Sequence, residues 1–252
     1  MSSVFRAPLI RLGALSLLGF LVSGVLWRLD SRTWLNESVW IKPMKFYLSV
    51  GIYLSTMHFL LSLLRPRWGR VDSMVRLLGW SMAIELAIIT LQSARGVGSH
   101  FNQSTPMDLA LYGVMGIFAV AQIPVGIVLF RAFGKFAPPE LDERLLLGIR
   151  WGLGIFILGC VEGAYLSAQS GHTVGAEPGG PGLPFLGWST VVGDLRIAHF
   201  IGMHALQIFP LLGWWVGHSQ RSRVWVLVPA MTYVALTLVA WALAIQGKSP
   251  FL

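Results

Sequence analysis

Seven stretches of this chain stay apolar for long enough to cross a bilayer, and no other feature of the sequence restricts the fold as much. They cover residues 9–27, 44–64, 74–94, 107–130, 146–168, 195–217 and 224–245, here spans 1 to 7. A hydrocarbon core about 30 Å thick takes roughly 20 helical residues at about 1.5 Å each. The stretches are continuous rather than alternating, and lipid requires each segment to satisfy its own backbone, so helices are expected. With 55% hydrophobic and 12% charged residues, the chain has too little polar surface for an ordinary soluble domain. The expectation is an all-α integral membrane protein, a seven-transmembrane-helix bundle forming one domain over residues 1–252, with the lipid bilayer as its surroundings.

The net charge of +8 is distributed over the links and not along one stripe, which argues for topology and against nucleic acid as a partner. Twelve Lys/Arg fall on one side (Arg6, Arg11, Arg65, Arg67, Arg70, Arg76, Arg131, Lys135, Arg144, Arg150, Arg221, Arg223) and seven on the other (Arg28, Arg32, Lys42, Lys45, Arg95, Arg196, Lys248). The positive-inside rule then places the N-terminus in the cytoplasm and the C-terminus outside, in a multi-pass protein of the cytoplasmic (inner) membrane. Span 1 follows Arg6 and Arg11 but lacks a small-residue cleavage site, so it is read as a membrane helix and not as a signal peptide. The single cysteine, Cys160, excludes an intramolecular disulfide and a cysteine-based metal cluster. Asn36-Glu-Ser38 and Asn102-Gln-Ser104 match the glycosylation pattern on the outer side.

Two spans carry the same polar signature, Glu-x6-Gln, at Glu85/Gln92 and Glu162/Gln169. Residues 85–98 and 162–175 share six of fourteen positions at an offset of 77. Downstream, Asp108, Gly116 and Pro124 match Asp194, Gly202 and Pro210 at an offset of 86, the nine extra residues lying in a longer Gly/Pro link. The pattern predicts tandem two-helix repeats, spans 3–4 and 5–6, in the same orientation. The link from Ser170 to Gly193 is either a lid or a plain connection. In span 5, Gly148-x3-Gly152 and Gly159-x3-Gly163 are small-residue faces that admit a neighbouring helix closely.

Ionisable groups at bilayer depth are costly and mark candidate sites. Glu85 and Glu162 lie deep in spans 3 and 5, with Gln92 and Gln169 two turns nearer the outer surface on the same face and Arg95 beyond the first pair. The alternative is that these groups are hydrogen-bonded glue between helices. Span 6 opens with Asp194 and carries His199, His204 and Gln207. Its histidines are five apart, about 140° around a helix, so they do not form an i, i+4 ligand pair. His199, His204 and His58 of span 2 are nonetheless candidate ligands for a metal or a haem iron. Lys45 faces Glu85, Asp194 or an anionic ligand in one reading and snorkels to headgroups, as does Lys42, in the other. Asp108 and Asp194 are read as helix caps, Pro124 and Pro210 as hinges, and the tryptophans at span ends as interface anchors.

No phosphate loop, dinucleotide fingerprint, cysteine motif or His-Glu-x-x-His is present. The leading expectation is a transport function: a polar cavity between spans 2, 3, 5 and 6, open to the extracytoplasmic side, that binds or translocates a small polar or ionic solute. Glu85 and Glu162 would be the proton or cation sites, and Gln92, Gln169, His204, Lys45 and Arg95 the groups that meet solute or gate it. A second reading is a membrane oxidoreductase or metal-dependent lipid-modifying enzyme using His199, His204 and His58. A third is a non-catalytic assembly or sensor subunit. The sequence specifies no cofactor.

Overall fold

A computed structural model of the chain describes residues 8–251, so Arg6 lies outside the described residues. The chain forms two compact units, Met1–Phe118 and Ala119–Leu252. Among the described residues, seven helical segments are long and apolar enough to cross a membrane, as the hydropathy pattern predicts.

The first unit contains α1 (Pro8–Leu29), α2 (Ile41–Leu64), α3 (Val71–Ala94) and α4 (Pro106–Val120), with the unit boundary inside the last turn of α4. A two-strand hairpin, β1 (Thr33–Trp34) and β2 (Glu37–Ser38), stands between α1 and α2. Leu35 and Asn36 at its tip both have positive φ, 50° and 63°, as the two-residue turn that matches strand twist requires. The sequence reading treats this segment as a plain link. Helices α1 and α2 pack through small residues: a Cβ at Gly13 would lie 3.5 Å from the Gly51 carbonyl oxygen, and one at Gly19 would meet the Tyr47 ring at 2.5 Å. Ile88, Ile89 and Met115 form a buried cluster flanked by Phe46, Ile84, Leu111 and Tyr112, which ties α2, α3 and α4 together. Arg32 ties the link between α1 and α2 to the end of α3. Its guanidinium holds Asp30 and donates from Nη1 to the Ala94 carbonyl at 2.9 Å, an acceptor that the end of α3 leaves open. Asp30 also accepts from Trp40 Nε1 at 2.8 Å, and these hydrogen bonds, that from Arg32 first, hold its carboxyl well below the usual carboxylate range.

The second unit contains α5 (Gln122–Phe136), α6 (Glu143–Ser167), β3 (Thr173–Val174), β4 (Gly193–Asp194), α7 (Leu195–His218) and α8 (Val224–Ile245). Glycines set the α6/α7 seam. A Cβ at Gly148 would lie 2.2 Å from the Phe209 carbonyl oxygen, one at Gly152 2.8 Å from the Ala205 carbonyl oxygen, and one at Gly159 2.7 Å from Gly202. The two Gly-x3-Gly faces thus do what their spacing predicts. Asp142 caps α6 by accepting from the Arg144 and Leu145 amides. Ile155, Ala205, Phe209 and Ala230 form the core of α6, α7 and α8, and the Tyr233 hydroxyl of α8 donates to the Ile201 carbonyl of α7 at 2.7 Å.

Span 4 is where the pattern and the structure differ. It divides at Ala121 into α4 and α5, together Pro106–Phe136. Pro124 in the first turn of α5 has no amide to donate to Val120, which removes one bond at that point. Pro210, which the sequence pattern matches to it, instead lies inside an unbroken α7, with Cδ 3.1 Å from the place of a Gly152 Cβ. The two prolines therefore do not interrupt their helices alike.

The link between α6 and α7 is structured. Strands β3 and β4 pair Thr173 with Asp194 and Val174 with Gly193, and Gly182 bridges Ser189. It rests on the end of α8: a Cβ at Gly193 would lie 2.2 Å from the Ala244 carbonyl oxygen and one at Gly247 3.2 Å from the Val174 carbonyl oxygen.

Candidate functional site

In the first unit Glu85 is buried on α3, with Oε2 sequestered and lacking a hydrogen-bond partner. The charge of Lys42 acts on Glu85. Lys45 stands 3.6 Å from Glu37 of the hairpin. Lys42 stands by the cluster of rings around Phe46. Its ammonium lies 5.9 Å from the Phe46 ring centre; Phe46 meets His100 at 5.6 Å, and His100 meets Tyr112 at 6.1 Å.

Gln92 is fully buried and hydrogen-bonded within the protein. Its Nε2 donates to Asp108 Oδ1 at 2.8 Å, and its Oε1 accepts from Arg95 Nη1 at 2.5 Å. Arg95 Nη1 also pairs with Asp108 Oδ1 at 2.6 Å, and Thr105 Oγ1 donates to Asp108 Oδ2 at 2.7 Å. Asp108 is thus more than a cap. It is the acceptor on which the end of α3 and the start of α4 are joined. Asn102, offered by its triplet as a glycosylation acceptor, is buried, and its Nδ2 donates to the Gly98 carbonyl at 3.0 Å. His58 is half-buried on α2.

In the second unit Glu162 is only 2% exposed, and neither of its carboxylate oxygens has a hydrogen-bond partner. It stands in the glycine seam, with Oε2 3.5 Å from the place of a Gly202 Cβ. His199 lies at the same level. Its ring fills the space a Gly163 Cβ would take, at 2.6 Å, and its Nδ1 is 2.8 Å from the Gly159 carbonyl oxygen. His204 stacks on Phe200 with ring centres 3.9 Å apart, and its Nδ1 is 2.9 Å from the Phe200 carbonyl oxygen. Cys160 is a buried packing residue whose sulfur lies 3.7 Å from that of Met203.

Gln169, just beyond α6, differs from Gln92 by donating to the Tyr165 carbonyl at 3.1 Å. Asp194, fully buried, accepts from the Ser189 amide at 2.9 Å and from Arg196 Nη2 at 2.7 Å, and His172 Nδ1 stands 3.8 Å from its Oδ1. Arg196 Nη2 donates as well to the Gly187 carbonyl. Burial opposes the charge on Asp194, but Arg196, the Ser189 amide and His172 outweigh it and keep the carboxyl below its usual range. His172 is absent from the residues singled out by sequence, although the repeat aligns it with Arg95.

Among the described residues no three His, Cys, Asp or Glu side chains gather as a metal-holding group. A cavity of about 410 Å³ lies among α1, α2 and α3, lined by Ser16, Gly19, Tyr47, Leu86 and other apolar side chains, and none of the candidate polar residues lines it. Comparison with known families, curated protein sequences and solved structures finds no match to the chain.

Proposed function

We propose that the chain is a multi-pass membrane protein that binds and translocates a small polar or ionic solute, with Glu85 and Glu162 as the groups that exchange a proton or cation during the cycle. One observation carries the reading: each compact unit buries one deep carboxyl that keeps at least one oxygen sequestered and unpaired. A buried polar group without a partner costs stability, by about 1–3 kcal/mol or more for a charged group, so glue between helices is a poor explanation for either side chain. Lys42 and the rings of Phe46, His100 and Tyr112 are added here to the residues around Glu85. Gln92 and Arg95 leave the solute-binding set and become the frame that holds Asp108.

The tandem duplication is part of the same proposal. Its support is that the cation three residues beyond each glutamine meets the aspartate that opens the next helix: Arg95 with Asp108, and His172 with Asp194. The orientation proposed is N-terminus inside and C-terminus outside. In it, Arg221 lies between the Trp215 and Trp225 rings, 4.6 and 4.9 Å from their centres, at the cytoplasmic interface.

The test is solute-dependent proton movement. Right-side-out vesicles bearing the protein are given amino acids, small carboxylates, sugars and inorganic ions in turn while external pH is recorded. Wild type is expected to respond to one class, and Glu85→Gln and Glu162→Gln, inserted at normal level, to lose the response. A response retained in both variants removes the carboxylates from the mechanism.

A further inference from the structure

We propose that His172 and Asp194 form a pH-dependent latch that fastens the outer link of the second unit, closed when the imidazole is protonated and released when it is neutral. The two residues stand at the two ends of the link, His172 five residues after α6 and Asp194 directly before α7. Their backbones are already neighbours. Thr173 pairs with Asp194 across β3 and β4, and the Leu195 amide donates to the His172 carbonyl at 3.0 Å. The side chains then add the 3.8 Å approach of Nδ1 to Oδ1, with 16% of the imidazole and none of the carboxylate exposed. Asp194 also holds the far half of the link, because its Oδ2 accepts from the Ser189 amide and its partner Arg196 donates to the Gly187 carbonyl.

The first unit supplies the comparison. At the aligned position Arg95 meets Asp108 at 2.6 Å, and a guanidinium keeps its charge throughout the physiological range. An imidazole does not, since it titrates near pH 6.5 in ordinary surroundings. The same join is therefore permanent in one unit and proton-dependent in the other. The other charged groups near the link do not replace the imidazole. Arg196 shares the Asp194 carboxylate, Glu177 is exposed on the link's turn, and the Lys248 ammonium beyond α8 donates to Gln246 at 3.1 Å. The sign follows. A protonated His172 adds attraction to a carboxylate that stays ionised, so the link is tightest in mild acid and loosens as pH rises.

The experiment is hydrogen–deuterium exchange on the full chain in nanodiscs from about pH 5 to about pH 8, corrected for intrinsic exchange, read over residues 172–195. Wild-type protection is expected to fall about threefold across that range, as suits a partly buried pair. His172→Arg should hold the acid level at every pH, and His172→Gln the alkaline level. Arg95→His should confer a pH response on residues 96–108, so the proposal is testable even where a variant at 172 fails to fold. A wild-type profile flat with pH overturns the latch, as does a pH response that His172→Gln leaves unchanged.

Discussion

Gly148 of α6 lies against the Phe209 carbonyl of α7 so closely that a Cβ there would sit 2.2 Å from the oxygen. Backbone meets backbone, and no side-chain rotation relieves the contact. Gly148→Ala is accordingly expected to cost about 3 kcal/mol. Gly154→Ala on the same helix, where a Cβ meets nothing within 4 Å, should leave the thermal midpoint unchanged or raised. Equal midpoints for the two variants would refute the account of the seam.

Asp108 gathers Gln92, Arg95 and Thr105 where α3 ends and α4 begins. Asp108→Ala leaves several donors without their acceptor and should cost about 2 kcal/mol. A double-mutant cycle with Arg95→Ala should show a coupling of at least about 1 kcal/mol by thermal unfolding. Additive effects would mean that the pair does not hold α3 to α4.

Glu162 separates the two uses of a buried carboxyl. Glu162→Met fills the same space without unpartnered oxygens, so stability should hold or rise while solute-dependent proton movement disappears. A fall in thermal midpoint would instead mark Glu162 as a bond between helices.

Asp30 gives a pH prediction with a definite sign. Its carboxyl is more acidic folded than unfolded, so its contribution is complete above the usual carboxylate range and is lost as pH falls through its folded value. The midpoint difference between wild type and Asp30→Asn should be full at neutral pH and shrink in strong acid. A difference independent of pH would exclude the ion pair with Arg32 as its origin.

The proposed orientation is open to labelling. In a Cys160→Ser background, a cysteine at exposed Glu177 should react with an impermeant maleimide on intact cells, and one at exposed Ser222 only after permeabilisation. The reverse pattern would invert the topology.

The seven helices were legible because continuous apolar runs of this length have few other outcomes. The division at Ala121 was not, since Pro124 and Pro210 look alike in sequence and differ in whether an adjoining helix braces them. Nor was the hairpin tip, because leucine carries no propensity for the positive φ of Leu35. At the candidate site, burial of Glu85 and Glu162 followed from hydropathy, whereas partners did not. The pairing of Lys45 with Glu37 depends on where the β1–β2 hairpin brings that carboxylate. Gln92 and Gln169 share a motif but part company because an arginine beyond the first reaches back to it. The signal that could have found His172 was the alignment itself, followed two positions past the shared glutamine and serine.

The contact of Gly193 with Ala244 and of Val174 with Gly247 makes the end of α8 the floor of the link between α6 and α7. A nascent chain presents residues in sequence, so both strands of that link emerge before the surface they rest on has been synthesised. A lesion that shortens or displaces the end of α8 therefore removes the support of a segment that precedes it by two helices.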